Sequence, residues 1–119
     1  GVSISLPAVT RSLKLQKRAA KEGFDWKKPE DNLKKVREEL NELSVEMKAK
    51  NKKKIREELG DLLFSCINLS RKLGMDTETV IRESNRKFEK RFKKMEKQMH
   101  KKSLKWDLKN LEKEWQNSK

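Results

Sequence analysis

The sequence predicts an all-α protein, and three observations predict it. Apolar residues recur at intervals of three and four along most of the chain, as one face of a helix requires. No stretch shows the strict alternation of a half-buried strand. Gly, Pro and Asn punctuate the ends of the periodic stretches, where helices start and stop.

The first helix is expected to take Ser5 as its N-cap, with Pro7 in the first turn, and to run to about Glu22, where Gly23 stops it. Phe24, Asp25 and Trp26 form a connector. Pro29 and Asp31 open a second helix whose Leu33, Val36, Leu40, Leu43 and Met47 make one apolar stripe. The pattern breaks at Lys50 and Asn51. A third helix then carries Ile55, Leu59, Leu62, Cys66 and Leu73 to a stop at Gly74, with Cys66 read as core. Asp76 or Thr77 caps a fourth, with Ile81, Phe88, Met95 and Met99 inward, continuing to about Lys101. A short fifth helix, roughly Asp107 to Trp115, buries Leu108, Leu111 and Trp115. Phosphate-binding devices built on a strand and a Gly-rich loop are excluded, because neither part is present.

A chain of 119 residues is the size of one domain. Only 33% of its residues are hydrophobic, against roughly 45–50% in average soluble domains. So thin a core favours burial between subunits, and a homodimer or larger assembly is expected. The net charge of +13, from 32 Lys and Arg against 19 Asp and Glu, favours anionic partners, although part of it solvates helix faces. The longest nearly apolar stretch, Leu62 to Leu69, is interrupted by Ser65 and Asn68 and falls far short of the roughly 20 residues a membrane span needs. Gly1 to Val9 lacks the basic and apolar regions of a secretory signal. With a single cysteine, no internal disulfide can form, and a cytoplasmic setting is expected. Gly1 in place of an initiator Met suggests a processed or excised fragment of a longer protein, of which residues 1–119 are one domain.

Two segments nineteen positions apart are nearly identical: KKVREELNEL from Lys34 and KKIREELGDL from Lys53. On each helix two carboxylates, Glu39 with Glu42 and Glu58 with Asp61, fall about 60° apart on a stripe bordering the apolar face. In an antiparallel hairpin turning near residue 50, positions whose numbers sum to 100 lie level, which sets Glu39 beside Asp61 and Glu42 beside Glu58. Four carboxylates at the edge of a low-dielectric interior repel unless a cation offsets them. Their hard oxygens suit Mg²⁺ or Mn²⁺, ions that bridge phosphates and activate water. Lys35 and Lys54 lie one turn before Glu39 and Glu58, and Lys87, Arg91 and Lys94 form a third basic line beside Phe88. E-E-x-x-E strings are common on solvated helices, and a Lys-to-Glu spacing of four stabilises any helix. The duplication, its symmetry about the turn and its place beside the apolar stripe favour a site. His100 has no ligand partner nearby in sequence. Trp26, Trp106 and Trp115 each suit either base stacking or core packing.

Taken together, SLPAVTRSLKLQKRAAKEGFDW, KVREELNEL, REELGDLLFSCINLSRKLG, NRKFEKRF and LEKEW resemble the MazG family of nucleoside triphosphate pyrophosphohydrolases, and especially the C-terminal module of its two-module members. The resemblance implies a dimerising relative of the four-helix bundle and a Mg²⁺-dependent hydrolase that cleaves the α-β phosphoanhydride of a nucleoside triphosphate, releasing pyrophosphate. Its metal ligands match Glu39, Glu42, Glu58 and Asp61. Its nucleotide contacts match Lys35, Val36, Arg37 and Glu38; Lys54, Ile55, Arg56 and Glu57; Lys87, Phe88, Glu89, Lys90 and Arg91; and Trp115. The stretch from His100 to Lys105 is shorter than in other members. Glu38 or Glu57, each about 40° from a ligand stripe, can accept the proton of the attacking water. The expected role is nucleotide-pool house-cleaning on several triphosphates, with no membrane association and no nucleic acid as substrate. The alternatives are a basic helical nucleic-acid-binding module without turnover and a narrower dUTP or dCTP hydrolase.

Overall fold

The computed structural model describes residues 1–119 and is built from helices alone: α1 (Ala8–Lys21), α2 (Pro29–Ala49), α3 (Lys52–Lys72), α4 (Thr77–Lys101) and α5 (Leu108–Asn117). None is long and apolar enough to cross a membrane. The chain divides into two compact units, Gly1–Glu78 and Thr79–Lys119.

In the first unit α1 starts later than expected. Pro7, not Ser5, holds the N-cap position, and its carbonyl accepts from the Arg11 amide at 2.9 Å. The ring of Pro7 disfavours helical geometry at Leu6, so the helix cannot begin earlier, and Ser5 is engaged instead with Ser3. The C-terminal end closes through Gly23, at φ +91°, and through the Phe24 amide, which donates to the Ala19 carbonyl. α2 opens on Pro29 with Glu30 and Asp31 in its first turn, where its dipole favours carboxylates. Lys50, in left-handed geometry at φ 56°, ends it, and Asn51 caps α3 by accepting from the Lys54 amide at 3.2 Å. Two residues thus connect two 21-residue helices, which pack together as a hairpin.

The hairpin meets along a stripe rotated from the apolar one. α2 buries Asn32, Glu39 and Leu43, and α3 buries Ser65. Leu33, Leu40 and Met47 on α2 are exposed, as are Leu59 and Leu73 on α3. Cys66 is exposed too, contrary to its reading as core. Ser65 takes the inward position one residue earlier, and the hydroxyl is satisfied by donating to the Leu62 carbonyl.

In the second unit the core is Met95 and Met99 on α4, with Glu114 and Ser118 at and just beyond the end of α5. Lys102 donates to Glu114 at 2.7 Å, which compensates the buried carboxylate and holds it below its ordinary range. Asp107 caps α5 by accepting from the Asn110 amide. Leu108 is 71% exposed, a correction to its expected burial. Glu114 occupies the inward face of α5, with Leu111 and Trp115 half-buried. Ile81 and Phe88 are likewise exposed, not inward.

Candidate metal centre

The close packing of α2 on α3 brings the duplicated segments face to face. Carboxylate oxygens of Glu39, Glu58 and Asp61 lie within 4.8 Å of one another. The Glu42 carboxylate, on the exposed side, lies within hydrogen-bonding reach of Glu58. Burial raises the Glu58 pKa first, then the neighbouring Glu42, Asp61 and Glu39, and together they push it up to about 7. Glu39 is 5% exposed. Its Oε1 accepts from the Lys35 ammonium at 3.0 Å, and this partner raises the Lys35 pKa. Its Oε2, like Glu58 Oε2, is buried without a partner.

The two halves of the duplication are not used alike. Lys35 is drawn back onto Glu39 and also lies 3.9 Å from Glu38. At the equivalent position Lys54 makes no ion pair; its backbone amide serves the Asn51 cap. Arg37, Glu38, Arg56 and Glu57 are exposed, and Val36 and Ile55 are half-buried. In the second unit, Lys87 and Lys90 are exposed, and Glu89 pairs with Lys93 at 3.0 Å. Arg91 stacks over the Trp115 ring at 4.0 Å while donating to the Trp115 carbonyl through Nε and Nη2. Phe88 lies 5.2 Å from the same ring. Lys87, Phe88, Arg91 and Trp115 belong to that unit, and the carboxylates to the first.

Two buried amides escaped the sequence reading. Asn32 is 2% exposed, and both of its side-chain polar atoms lack partners. It stands seven residues before Glu39, two turns up the same face. Gln16 of α1 donates to the Phe64 carbonyl at 2.9 Å, but its Oε1 is buried and unpaired. A polar residue at a core-facing helical phase is the signal that finds both.

The donor set fits a hard divalent cation. It is all oxygen, comes from two facing helices, and leaves two buried carboxylate oxygens unsatisfied, which is costly unless positive charge meets them. Fold and site therefore define a class: all-α proteins with a cluster of carboxylates in a helical hairpin. The family model of the MazG nucleotide pyrophosphohydrolase domain matches residues 27–96, and the chain belongs to that family. It is 40% identical over 120 residues to a nucleoside triphosphate pyrophosphohydrolase of Escherichia coli K12, covering 97% of this chain and 46% of that protein. It is 42% identical over 86 residues to the nucleoside triphosphate pyrophosphohydrolase/pyrophosphatase MazG of Thermotoga maritima, covering 72% of this chain and 32% of that protein. The chain thus spans less than half the length of these relatives.

Proposed function

We propose that this chain cleaves nucleoside and deoxynucleoside triphosphates to the monophosphate and pyrophosphate, with Mg²⁺, or Mn²⁺, held by Glu39, Glu42, Glu58 and Asp61. The observation that carries this is the convergence of Glu39, Glu58 and Asp61 with two unsatisfied buried oxygens among them. A divalent cation bound there supplies neutralisation of phosphate charge and a lowered pKa for water. The chain's own groups do the rest. Lys35 and Lys54, on either helix of the hairpin, hold the phosphate tail, with the adjoining Val36, Arg37, Ile55 and Arg56 shaping the approach. Glu57, free of ion pairs, and Glu38, 3.9 Å from the Lys35 ammonium, are the candidate acceptors of the water's proton. Lys87, Phe88, Glu89, Lys90, Arg91 and Trp115 supply further nucleotide contacts. We assign the chain a cytosolic house-cleaning role, with nucleic acid not a substrate, and a homodimer as its working form.

A panel of nucleoside triphosphates with Mg²⁺, products separated by chromatography, tests the proposal. Monophosphate and pyrophosphate are expected. Diphosphate with orthophosphate would refute it. No turnover, together with salt-sensitive nucleic-acid binding, would favour a basic binding module instead.

A further inference from the structure

Charge is spread unevenly over the first unit. Between Gly1 and Lys21 there is no Asp or Glu, while α1 carries Lys14, Lys17, Arg18 and Lys21, all exposed. These four fall within about 100° of arc and span about 10 Å of helix. Elsewhere cations are met by acids: Lys35 by Glu39, Lys93 by Glu89, Lys102 by Glu114. No carboxylate pairs with the four on α1. Like charges one turn apart repel and weaken the helix unless an anion offsets them. The opposite side of α1 is turned to α3, where Gln16 is buried and donates to the Phe64 carbonyl.

The four cations line a groove of about 950 Å³ that Arg71 of α3 lines as well. Arg71 is held in place, its Nε donating to Asn68 at 2.9 Å and its Nη2 to Asp25 at 2.6 Å. Glu22 is the one carboxylate on the lining, and no aromatic or large aliphatic side chain stands there. The groove therefore suits negative charge and gives an apolar partner nothing to bury against. Along α3, Arg71 lies ten residues beyond Asp61, about 15 Å on and about 80° round, so the groove is separate from the carboxylates. Just past the end of α1, Phe24 is 84% exposed, with its amide bonded to the Ala19 carbonyl. A row of cations ending at an exposed ring can grip a single strand, because the cations follow the phosphates and the ring takes the face of a base.

We propose that the α1 groove binds single-stranded nucleic acid, with Lys14, Lys17, Arg18 and Lys21 on backbone phosphates and Phe24 against one base. The strand is held and not cut, because the carboxylate centre lies elsewhere. This binding is a second property beside turnover, and the inference is independent of the triphosphate reading. RNA and DNA are accepted alike, since phosphates and base faces are common to both. A lipid surface is a poorer partner, because the side of α1 that would insert is packed on α3. An acidic peptide offers no planar face to Phe24.

Fluorescence anisotropy with a labelled, mixed-sequence single-stranded RNA of about 16 nucleotides tests this. Affinity should fall with salt, with a logarithmic slope of about −3 for four phosphates at about 0.7 each. Lys14→Glu, Lys17→Glu and Lys21→Glu combined should weaken binding about tenfold or more. Reversing three exposed lysines of the second unit, Lys97, Lys101 and Lys109, changes the net charge equally and should weaken it less than about twofold at physiological salt. Phe24→Ala should weaken RNA about fivefold or more and leave inorganic tripolyphosphate unchanged. Every substituted side chain is exposed, and circular dichroism checks that each variant is folded. Equal losses in the two triple variants would make the binding a diffuse effect of net charge and overturn the groove. No RNA binding at low salt, or capture of phosphatidylglycerol vesicles or polyglutamate in its place, would overturn the nucleic-acid assignment.

Discussion

Glu58 carries an unusual burden for one side chain: its carboxyl is held near pH 7 by burial and by three acidic neighbours. Between its ordinary value of 4.5 and about 7, the folded chain binds more protons at this site than the unfolded chain does. Its contribution to stability is therefore complete at low pH, falls as pH rises through that window, and stays low above it. Asp25, held low by Arg71 and Lys72, and Glu114, held low by Lys102, act in the opposite sense. Their contributions are lost as pH falls through their depressed values. Thermal melts without Mg²⁺ should show stability declining from about pH 5 to about pH 7. Glu58→Gln should flatten that decline, and a decline unchanged in the variant would refute the assignment. At the same scale, Glu42→Gln should remove most turnover while leaving the metal-free protein as stable as before or more so, because it relieves repulsion. Mg²⁺ should then raise the melting temperature of the native protein more than that of the variant. Equal stabilisation and full activity in the variant would take Glu42 out of the site.

At the scale of the element, the hairpin depends on its two-residue turn. Lys50 is a non-glycine residue in left-handed geometry, an arrangement that costs about 1 kcal/mol. Lys50→Gly should raise the urea midpoint by a comparable stabilisation, about 0.5–1 kcal/mol, with turnover retained. An unchanged or lowered midpoint would mean that the turn is not strained. This turn was legible in the sequence, because the apolar pattern stops at Lys50 and the duplicated segments flank it symmetrically. The level pairing of carboxylates was legible for the same reason. What could not be read was the phase of the packing. Leu40, Leu59 and Cys66 fit a core stripe as well as Glu39 and Ser65 do, and only the partner helix decides which stripe turns inward. Gln16 and Asn32 were hidden by the expectation that amides face water. Ser5 has the side chain of a cap, but Pro7 disfavours helical geometry at Leu6, and the helix starts only after Pro7.

For the whole molecule, the same rotation leaves Leu40, Leu59 and Leu63 on the hairpin 53%, 44% and 57% exposed. Apolar side chains in such number on so charged a chain call for a covering surface. Light scattering should give about twice the 14.1 kDa chain mass. Leu59→Lys should shift the equilibrium toward monomer. A fully active monomer at micromolar concentration would refute the dimer.

The shortness of the Lys50–Asn51 connection also has a kinetic side. Glu42 and Glu58 are only sixteen residues apart in sequence, so they meet when the hairpin first closes, among the most local tertiary contacts available to the first unit. Closure must bring like charges together before the rest of the unit can reward it. The carboxylate centre is thus expected to act as a brake on folding as well as the proposed cation site, a brake that protons or a divalent cation release. In stopped-flow refolding, the rate should rise on lowering the pH from about 8 to about 6 or on adding Mg²⁺, with the unfolding rate changing less. Glu42→Gln should refold quickly under all these conditions. A refolding rate indifferent to both pH and Mg²⁺ would place carboxylate convergence after the rate-limiting step.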